Sequence, residues 1–307
     1  SDVYKRQISY RRLRNFKGSL SISVGVQEMV RSDIGSSGVA FTLDTESGHR
    51  GSIFITSSYG LGEGIVQGTV NPDEFYVFKE ALRKNDFPII KKSLGDKAKK
   101  MIFADNNLPG KSVKYVKVPK KEAHKFSLNN NEIIELAKYA KIIEDHYNVP
   151  MDIEWAKDGE DKKIYILQAR PETVQSKVTN YFERYTLKEK GEQIVSGKSV
   201  GQKIGAGTAK VVKDISEINN IEPGDVLVTD MTDPDWEPVM KIASGIVTNR
   251  GGRTCHAAII ARELGIPAIV GCNTATKFIL NNSKVTVSCG EGNEGRVYKG
   301  ELDYKVE

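Results

Sequence analysis

The chain has 307 residues, of which 39% are hydrophobic, and a net charge of +5, which together predict two ordinary packed domains. It has no apolar run of about 18 residues and no signal-peptide pattern, which excludes a transmembrane helix and predicts a cytoplasmic protein without membrane partners. Its lysine clusters lack interleaved aromatic side chains, which predicts a solvated basic surface with no nucleic-acid partner.

Cysteine usage excludes two kinds of structural site. The chain has three cysteines, Cys255, Cys272 and Cys289, and no pair has the C-x-x-C spacing. Reduced thiols are therefore expected, with neither a disulfide framework nor a zinc site. Cys255 lies beside His256 and is an alternative thiol nucleophile, although the sequence shows no base arrangement for it.

Predicted strands and a glycine-rich segment occupy the first part of the chain. An apolar run over residues 22–30 predicts a strand, and residues 39–43 and 52–56 predict a hairpin. The glycine-rich segment is 60–68, whose spacing is neither a Walker nor a Rossmann motif. It either brings backbone N–H groups close to phosphate or forms a structural turn.

A helix is predicted after the capping residues at 127–131. Apolar side chains recur there at helical spacing, at Ile133, Leu136, Ala137, Ala140, Ile143 and Tyr147. This spacing predicts an amphipathic helix with one buried face.

Acidic and amide side chains alternate along two predicted strands that flank an Asp-Gly turn. Asp152 and Glu154 share one face of the first strand, because side chains alternate with period two. Gln168 and Arg170 share one face of the second. If a hairpin brings these faces together, the oxygens suit Mg²⁺ and the guanidinium suits phosphate. The same alternation is also compatible with an exposed polar face.

A change in sequence pattern divides the chain into two parts. Residues 176–200 lack apolar periodicity and end in a Gly- and Ser-containing stretch, which predicts a linker. From residue 201, short strands and glycine turns predict a small α/β domain, closed by strands at 285–287 and 296–298.

The most informative stretch combines a strand, a glycine loop, a helix and a second strand. Residues 245–247 predict a buried strand, and residues 257–264 predict a helix that ends at Gly265 and leads into a strand at 268–270. His256 falls at the first turn of this helix, where free backbone N–H groups and the helix dipole favour an anion. An imidazole with a pKa of about 6.5 is mostly neutral at pH 7, so its ring nitrogen is available to take a phosphoryl group.

The neighbours of His256 favour this interpretation. Gly251 and Gly252 let the backbone turn tightly and approach a ligand, and Arg250 and Arg253 add positive charge. A simpler alternative, in which the histidine only caps or packs against the helix, stays open.

Residues 251–268 closely resemble the phosphohistidine signature of the phosphoenolpyruvate synthase (pyruvate, water dikinase) family. Related signatures occur in pyruvate phosphate dikinase, rifampin phosphotransferase and enzyme I of the sugar phosphotransferase system, and Arg253-Thr254-Cys255 is most similar to the synthase branch. The resemblance extends over nearly the whole chain, including residues 229–238. It implies a mixed α+β (α/β) fold, with the C-terminal part of an ATP-grasp domain at 1–175, a linker at 176–200 and a swivelling phosphohistidine domain at 201–307.

The resemblance also implies a reaction, in which ATP, pyruvate and water give AMP, phosphoenolpyruvate and phosphate. His256 would attack the β-phosphoryl group of ATP and then travel to a pyruvate site on another domain. Mg²⁺ is the implied cofactor, with Glu154 and Gln168 as its ligands. Asp152 is a further candidate ligand that matches the family pattern less directly.

Further roles and partners follow from the same resemblance. The residues assigned to ATP are Gln27, Glu28, Met29, Glu154, Gln168 and Arg170, and those assigned to the phosphoryl group are Arg250, Gly251, Gly252 and Arg253. Thr254 is the implied target of a regulatory kinase/phosphorylase, although a plain helix N-cap is an equally good interpretation of this threonine. A homo-oligomer is implied at full length.

Rival functions remain at this stage. A related dikinase would use the same first half-reaction with another acceptor, such as phosphate with pyruvate or an antibiotic. A phosphohistidine carrier or regulatory protein belongs to a different class, and the pattern at Glu154 to Arg170 argues against it because a pure carrier needs no ATP site. The chain also resembles a fragment: residues 1–7 match nothing in the family, and the pyruvate site is expected beyond Glu307. We therefore expect no complete turnover from these 307 residues alone.

Overall fold

Two units make up the part of the chain that the computed structural model describes, which comprises residues 25–84, 86–104, 112–172, 183–189 and 191–307. Residues 31–172, here called the sheet unit, form an open six-stranded sheet with helices. Residues 185–306, here called the barrel unit, form a closed seven-stranded barrel with short flanking elements. The predicted mixed α+β fold is confirmed.

The sheet unit is antiparallel. Its strands are β1 (Ser36–Phe41), β2 (Ser52–Tyr59), β3 (Asp73–Phe78), β4 (Ile89–Ser93), β5 (Lys99–Phe103), β6 (Val113–Lys117), β7 (Met151–Lys157) and β8 (Ile164–Pro171). Its helices are α1 (Glu63–Val66), α2 (Lys79–Lys84), α3 (Lys120–Ala123) and α4 (Asn130–Tyr147). The large sheet has the order β4-β3-β2-β1-β7-β8, and β5 and β6 pair separately. Both predicted hairpins, β1–β2 and β7–β8, are therefore confirmed.

Helix α4 covers one face of the sheet. Asn129 and Glu132 form a capping box at its start, which satisfies backbone N–H groups that the helix cannot pair internally. The predicted apolar face is buried against the sheet and forms the larger core of this unit. One predicted member is wrong, because Tyr147 at the last position of α4 is 56% exposed.

The opposite face of the sheet, here called the open face, carries the polar side chains of interest. Directly paired residues on antiparallel strands share a face, so Phe41, Phe54 and Asp152 lie on the same side. Val39 and Glu154 share that side by the same pairing. The open face therefore combines a small aromatic cluster with the acidic residues of β7.

The strand predicted at 22–30 is wrong over the residues that the structure describes. Residues 25–30 have no regular secondary structure, and residues 22–24 lie outside the described part. Val26 is 97% exposed. An apolar run forms a strand only where a partner strand is available, and residues 25–30 pair with none of the described strands.

The barrel unit combines parallel and antiparallel pairing. Its strands are β9 (Tyr185–Leu187), β10 (Gln193–Val200), β11 (Ile204–Val211), β12 (Val226–Thr229), β13 (Gly245–Thr248), β14 (Ala268–Val270), β15 (Lys284–Ser288), β16 (Glu294–Lys299) and β17 (Tyr304–Val306). Its helices are α5 (Glu237–Met240), α6 (His256–Leu264) and α7 (Ala275–Phe278). The barrel order is β10-β14-β13-β12-β11-β15-β16, and β9 pairs with β17 outside it. The parallel strands β11 to β14 place their carboxyl ends at one edge.

The predicted linker at 176–200 is wrong at its C-terminal end. Strand β10 occupies residues that were expected to be flexible and pairs with β14 and β16. A Cβ atom at Gly197 would lie 2.7 Å from the carbonyl oxygen of Val270, so this glycine permits close strand packing and does not confer flexibility. Residues 176–182 and 190 of the predicted linker lie outside the described part.

Candidate functional site

His256 is the first residue of helix α6, as the sequence predicted. Strand β13 ends at Thr248, Gly251 adopts φ +111° in the loop, and Cys255 is the N-cap in an extended conformation without a side-chain cap. The helix ends at Gly265, which adopts the left-handed conformation at φ +66°. Backbone N–H groups at the start of α6 are consequently available to an anion near His256.

Thr232 fixes the imidazole and was missed by the sequence analysis. Its Oγ1 lies 3.0 Å from His256 Nδ1. When Nδ1 carries the proton and donates it to Thr232, Nε2 keeps its lone pair and is the nucleophilic nitrogen. Thr232 follows β12, which is parallel to β13, so both residues come from loops at the carboxyl edge of the barrel.

The electrostatic environment of His256 favours the neutral ring. Burial lowers the pKa of His256 below its usual 6.5, and the charges of Asp233 and Glu237 oppose this shift. Neutral imidazole is the form that attacks phosphorus. The ring is therefore chiefly neutral at neutral pH, and one of its nitrogens is free to bind an electrophile without a separate base.

The two arginines beside His256 have different surroundings. Arg250 pairs with Asp230 at 3.0 Å, and its side chain is 41% exposed, which leaves it accessible to an anion. Arg253 corrects our expectation, because its side chain is only 3% exposed and pairs with Glu74 of the sheet unit at 3.2 Å. It also donates to the carbonyl oxygens of Ser199 and Asn293. Its donors are thus committed to protein groups and not to a phosphoryl group.

The paired glycines also meet the sheet unit. Gly251 N–H donates to Asn71 Oδ1 at 2.9 Å, and a Cβ atom at Gly252 would lie 2.9 Å from the ring of Pro72. Gly68, in the glycine-rich segment, also packs closely, because a Cβ atom there would lie 2.9 Å from the Cβ of Cys255. Part of the glycine content that suggested phosphate binding therefore allows the histidine loop to approach the sheet unit closely.

Thr254 and Cys255 are both buried. Thr254 is 5% exposed, and its hydroxyl has no hydrogen-bond partner in the described part of the chain. The N-cap interpretation of Thr254 is wrong, because Cys255 occupies that position. Burial raises the pKa of the Cys255 thiol, which disfavours the thiolate and argues against a cysteine nucleophile.

The hairpin β7–β8 brings the four predicted polar residues together on the open face. Asp152 is directly opposite Arg170, and Glu154 is directly opposite Gln168. Arg170 Nη2 lies 2.8 Å from Asp152 Oδ2, and 61% of the Arg170 side chain is exposed. Burial raises the pKa of Asp152, and Arg170 opposes the shift. Asp152 thus orients Arg170, while Glu154 and Gln168 form a separate pair of oxygen donors.

These residues fit Mg²⁺ only as a partial ligand set. No group of three or more His, Cys, Asp or Glu residues able to hold a metal occurs among the described residues. Mg²⁺ usually takes one or two protein carboxylates together with substrate phosphates and waters. The Glu154 carboxylate and the Gln168 amide oxygen match that pattern, in which the nucleotide completes the coordination.

The residues predicted to meet adenine, Gln27, Glu28 and Met29, are exposed. The chain just after this segment contacts the turn between β7 and β8, because the Arg31 backbone N–H donates to Asp158 Oδ2 at 2.8 Å. The structure thus brings the segment near the same hairpin, without enclosing these side chains.

Comparison with known proteins identifies the family. The profile described as "Pyruvate phosphate dikinase, AMP/ATP-binding domain" matches residues 1–190, which is more than half of the chain. The chain belongs to this family. A second profile, "PEP-utilising enzyme, mobile domain", matches residues 221–292 and includes His256.

Curated relatives of this dikinase-family chain agree. It is 59% identical over 303 residues to a phosphoenolpyruvate synthase of Pseudomonas aeruginosa and 57% identical over 302 residues to that of Escherichia coli. It is 42% identical over 307 residues to a probable phosphoenolpyruvate synthase of Pyrococcus horikoshii. These alignments cover 98% of the chain but only 36–38% of the relatives. No helix in the described part of this chain is long and apolar enough to cross a membrane.

Proposed function

We propose that the chain supplies the ATP-dependent half of a phosphoenolpyruvate synthase, in which ATP, pyruvate and water give AMP, phosphoenolpyruvate and phosphate. One observation carries the proposal: His256, oriented by Thr232 at a helix start, belongs to a loop that contacts the sheet unit. The open face of that unit bears Glu154, Gln168 and Arg170. A histidine with a free ring nitrogen and a set of groups suited to a nucleotide thus occur in adjoining units, which supports the proposal.

The proposed chemistry is nucleophilic. Nε2 of His256 forms a bond to the β-phosphorus of ATP, the bond between that phosphorus and the oxygen of the departing AMP breaks, and water then releases the terminal phosphate. The remaining phosphoryl group leaves His256 for the enol oxygen of pyruvate. The developing negative charge is offset by Arg250, by the N–H groups at the start of α6 and by the groups that bind ATP.

The sheet unit would bind and orient the nucleotide. Glu154 and Gln168 would hold Mg²⁺, which when bound neutralises phosphate charge. Arg170, kept in place by Asp152, would pair with a phosphate oxygen. Gln27, Glu28 and Met29 are proposed to meet the base of ATP.

We also propose that Thr254 is a regulatory phosphorylation site for a kinase/phosphorylase. Phosphorylation adds about −1.5 to −2 charges at pH 7 and three oxygens. Thr254 is buried in the described structure, so a phosphate there would disturb the contact with the sheet unit as well as repel ATP. We also propose a cytoplasmic location and a homo-oligomer at full length, of which the oligomer rests on the resemblance alone.

Labelling with ATP tests the proposal. A protein of the relatives' full length that contains this chain should acquire acid-labile label from ATP marked in its β-phosphate, and His256→Ala should abolish that label. His146→Ala is the matched control, because His146 is exposed on α4. Label retained by His256→Ala would show that another residue is the nucleophile. Omitting pyruvate and supplying other acceptors then separates a synthase from related dikinases.

A further inference from the structure

The described residues of the sheet unit make several polar contacts with the barrel unit, and three of the side chains involved, Glu46, Asn71 and Glu74, are here called the docking triad. Two longer contacts accompany them: Lys198 donates to the Pro72 carbonyl oxygen at 3.4 Å and Arg253 donates to the Tyr76 hydroxyl at 3.5 Å. We propose that the docking triad positions His256 for phosphoryl transfer from ATP, and that Arg253 is its cationic counterpart on the barrel unit. The proposal rests on the proposed function, because it assumes that His256 receives a phosphoryl group. It gives Arg253 a positioning role in place of phosphate binding.

Asn71 makes the most direct link to the histidine loop. Its Oδ1 accepts from Gly251 N–H at 2.9 Å, and its Nδ2 donates to Asn273 Oδ1 at 3.2 Å. The same Nδ2 donates to Asp96 Oδ2 within the sheet unit at 2.9 Å. One buried amide therefore ties two loops of the barrel unit to the sheet unit. Because Gly251 begins the turn that leads to His256, this contact sets where the imidazole lies.

A buried network holds Asn71 in place. The backbone carbonyl of Asn71 accepts from Lys97 N–H at 3.3 Å, and the Lys97 ammonium pairs with Asp73 at 2.5 Å, with both side chains fully buried. Asp73 also accepts from the Ser127 hydroxyl and backbone N–H. A fully satisfied network of this kind is rigid. Asn71 is therefore held in a fixed position at its contact with the barrel unit.

The other two members of the docking triad are acidic and meet arginine and lysine. Glu74, 2% exposed, pairs with Arg253 at 3.2 Å and with Lys198 at 2.6 Å. Glu46 pairs with Arg262 and lies 3.8 Å from Arg253. Buried charges are costly unless they are paired, and here each pair joins the two units. The acidic face is thus complementary to one orientation of the barrel unit.

Backbone packing adds a steric requirement. A Cβ atom at Gly252 would lie 2.9 Å from Pro72, and one at Gly68 would lie 2.9 Å from the Cβ of Cys255. Cβ atoms do not approach so closely in proteins, so the two loops can pack together only because each unit has a glycine at the contact. Charge, hydrogen bonding and shape therefore all select the same orientation, in which the histidine loop faces the sheet unit.

Two variants of the sheet unit test this proposal at full length. Asn71→Ala and Glu74→Gln remove contacts with the barrel unit, and Asn71→Ala also removes the bond to Asp96. Glu144→Gln is the matched control, because its partly buried pair with Lys79 lies within the sheet unit. We expect both test variants to slow labelling of His256 by ATP roughly 10-fold or more, as for the loss of a buried hydrogen bond or a charged one. Labelling of His256 by phosphoenolpyruvate should be unchanged, because that half-reaction does not use the docking triad.

The contrary outcomes are distinct. Equal loss in both half-reactions would show a general structural role, and no loss in either would show that the contacts do not position His256; each overturns the proposal. Unlabelled wild-type protein would instead refute the proposed function.

A second measurement does not depend on phosphoryl transfer. In the 307-residue chain, hydrogen exchange of the Gly251 amide should become at least about 10-fold faster in Asn71→Ala, while exchange in α4 stays unchanged. Unchanged exchange at Gly251 would overturn the proposal.

Discussion

Replacement of Thr232 by valine tests how the imidazole is oriented. Valine keeps the shape of threonine but removes the hydroxyl that lies 3.0 Å from His256 Nδ1. A neutral hydrogen bond contributes about 0.5–1.5 kcal/mol, which corresponds to a rate loss of about 2- to 13-fold if the bond is needed in the transition state. Thr232→Ser keeps the hydroxyl and should retain most of the rate.

The assay is the rate of His256 labelling by ATP as a function of pH. The neutral imidazole is the reactive form, and burial lowers the pKa of His256. The rate should therefore rise with pH to a plateau, and it should be half-maximal below about pH 6.5. Thr232→Val should lower the plateau. Its midpoint should move little, because burial, Asp233 and Glu237 set the pKa shift. A wild-type plateau in Thr232→Val, or an equal loss in Thr232→Ser, would refute the orienting role of the hydroxyl.

Three further predictions concern other parts of the chain. Glu154→Ala should abolish labelling of His256 by ATP and leave labelling by phosphoenolpyruvate largely intact, whereas equal loss of both would mark a structural residue. Thr254→Glu should slow labelling by ATP through charge repulsion, and a normal rate would count against a charge-based switch. Gly197→Ala should lower the free energy of unfolding by about 1–3 kcal/mol in a denaturation experiment, because its Cβ would clash with strand β14. A Cβ atom at Gly62 would lie at ordinary van der Waals distances from its neighbours, so Gly62→Ala should leave the free energy of unfolding almost unchanged. Similar losses of stability in both variants would contradict the packing argument.

Local signals account for the parts of the site that the sequence analysis found. Glycine, helix-forming residues and a terminal glycine lie within a few positions of His256, so the loop and helix α6 could be located without knowledge of the fold. The pairing of Asp152 with Arg170 followed from period two and a short turn. These features depend only on residues that are close in sequence, so they can be predicted from one sequence alone.

Features that depend on distant residues were not accessible in that way. Arg253 resembles a phosphate ligand until Glu74, which is 179 residues away in sequence, is known to lie beside it. Thr232 is 24 residues from His256 and meets it only through the parallel pairing of β12 with β13. Gly197 lies in a stretch with linker composition, but its environment is set by Val270 on the neighbouring strand β14.

The central claim is that His256 carries a phosphoryl group from ATP to its acceptor, and a chase experiment tests it most directly. Full-length protein containing this chain would be labelled with β-phosphate-marked ATP, separated from nucleotide, mapped by peptide mass spectrometry and mixed with pyruvate. The account predicts one labelled peptide containing His256 and transfer of its label to phosphoenolpyruvate. Label on a different residue, or label on His256 that pyruvate does not remove, would contradict it.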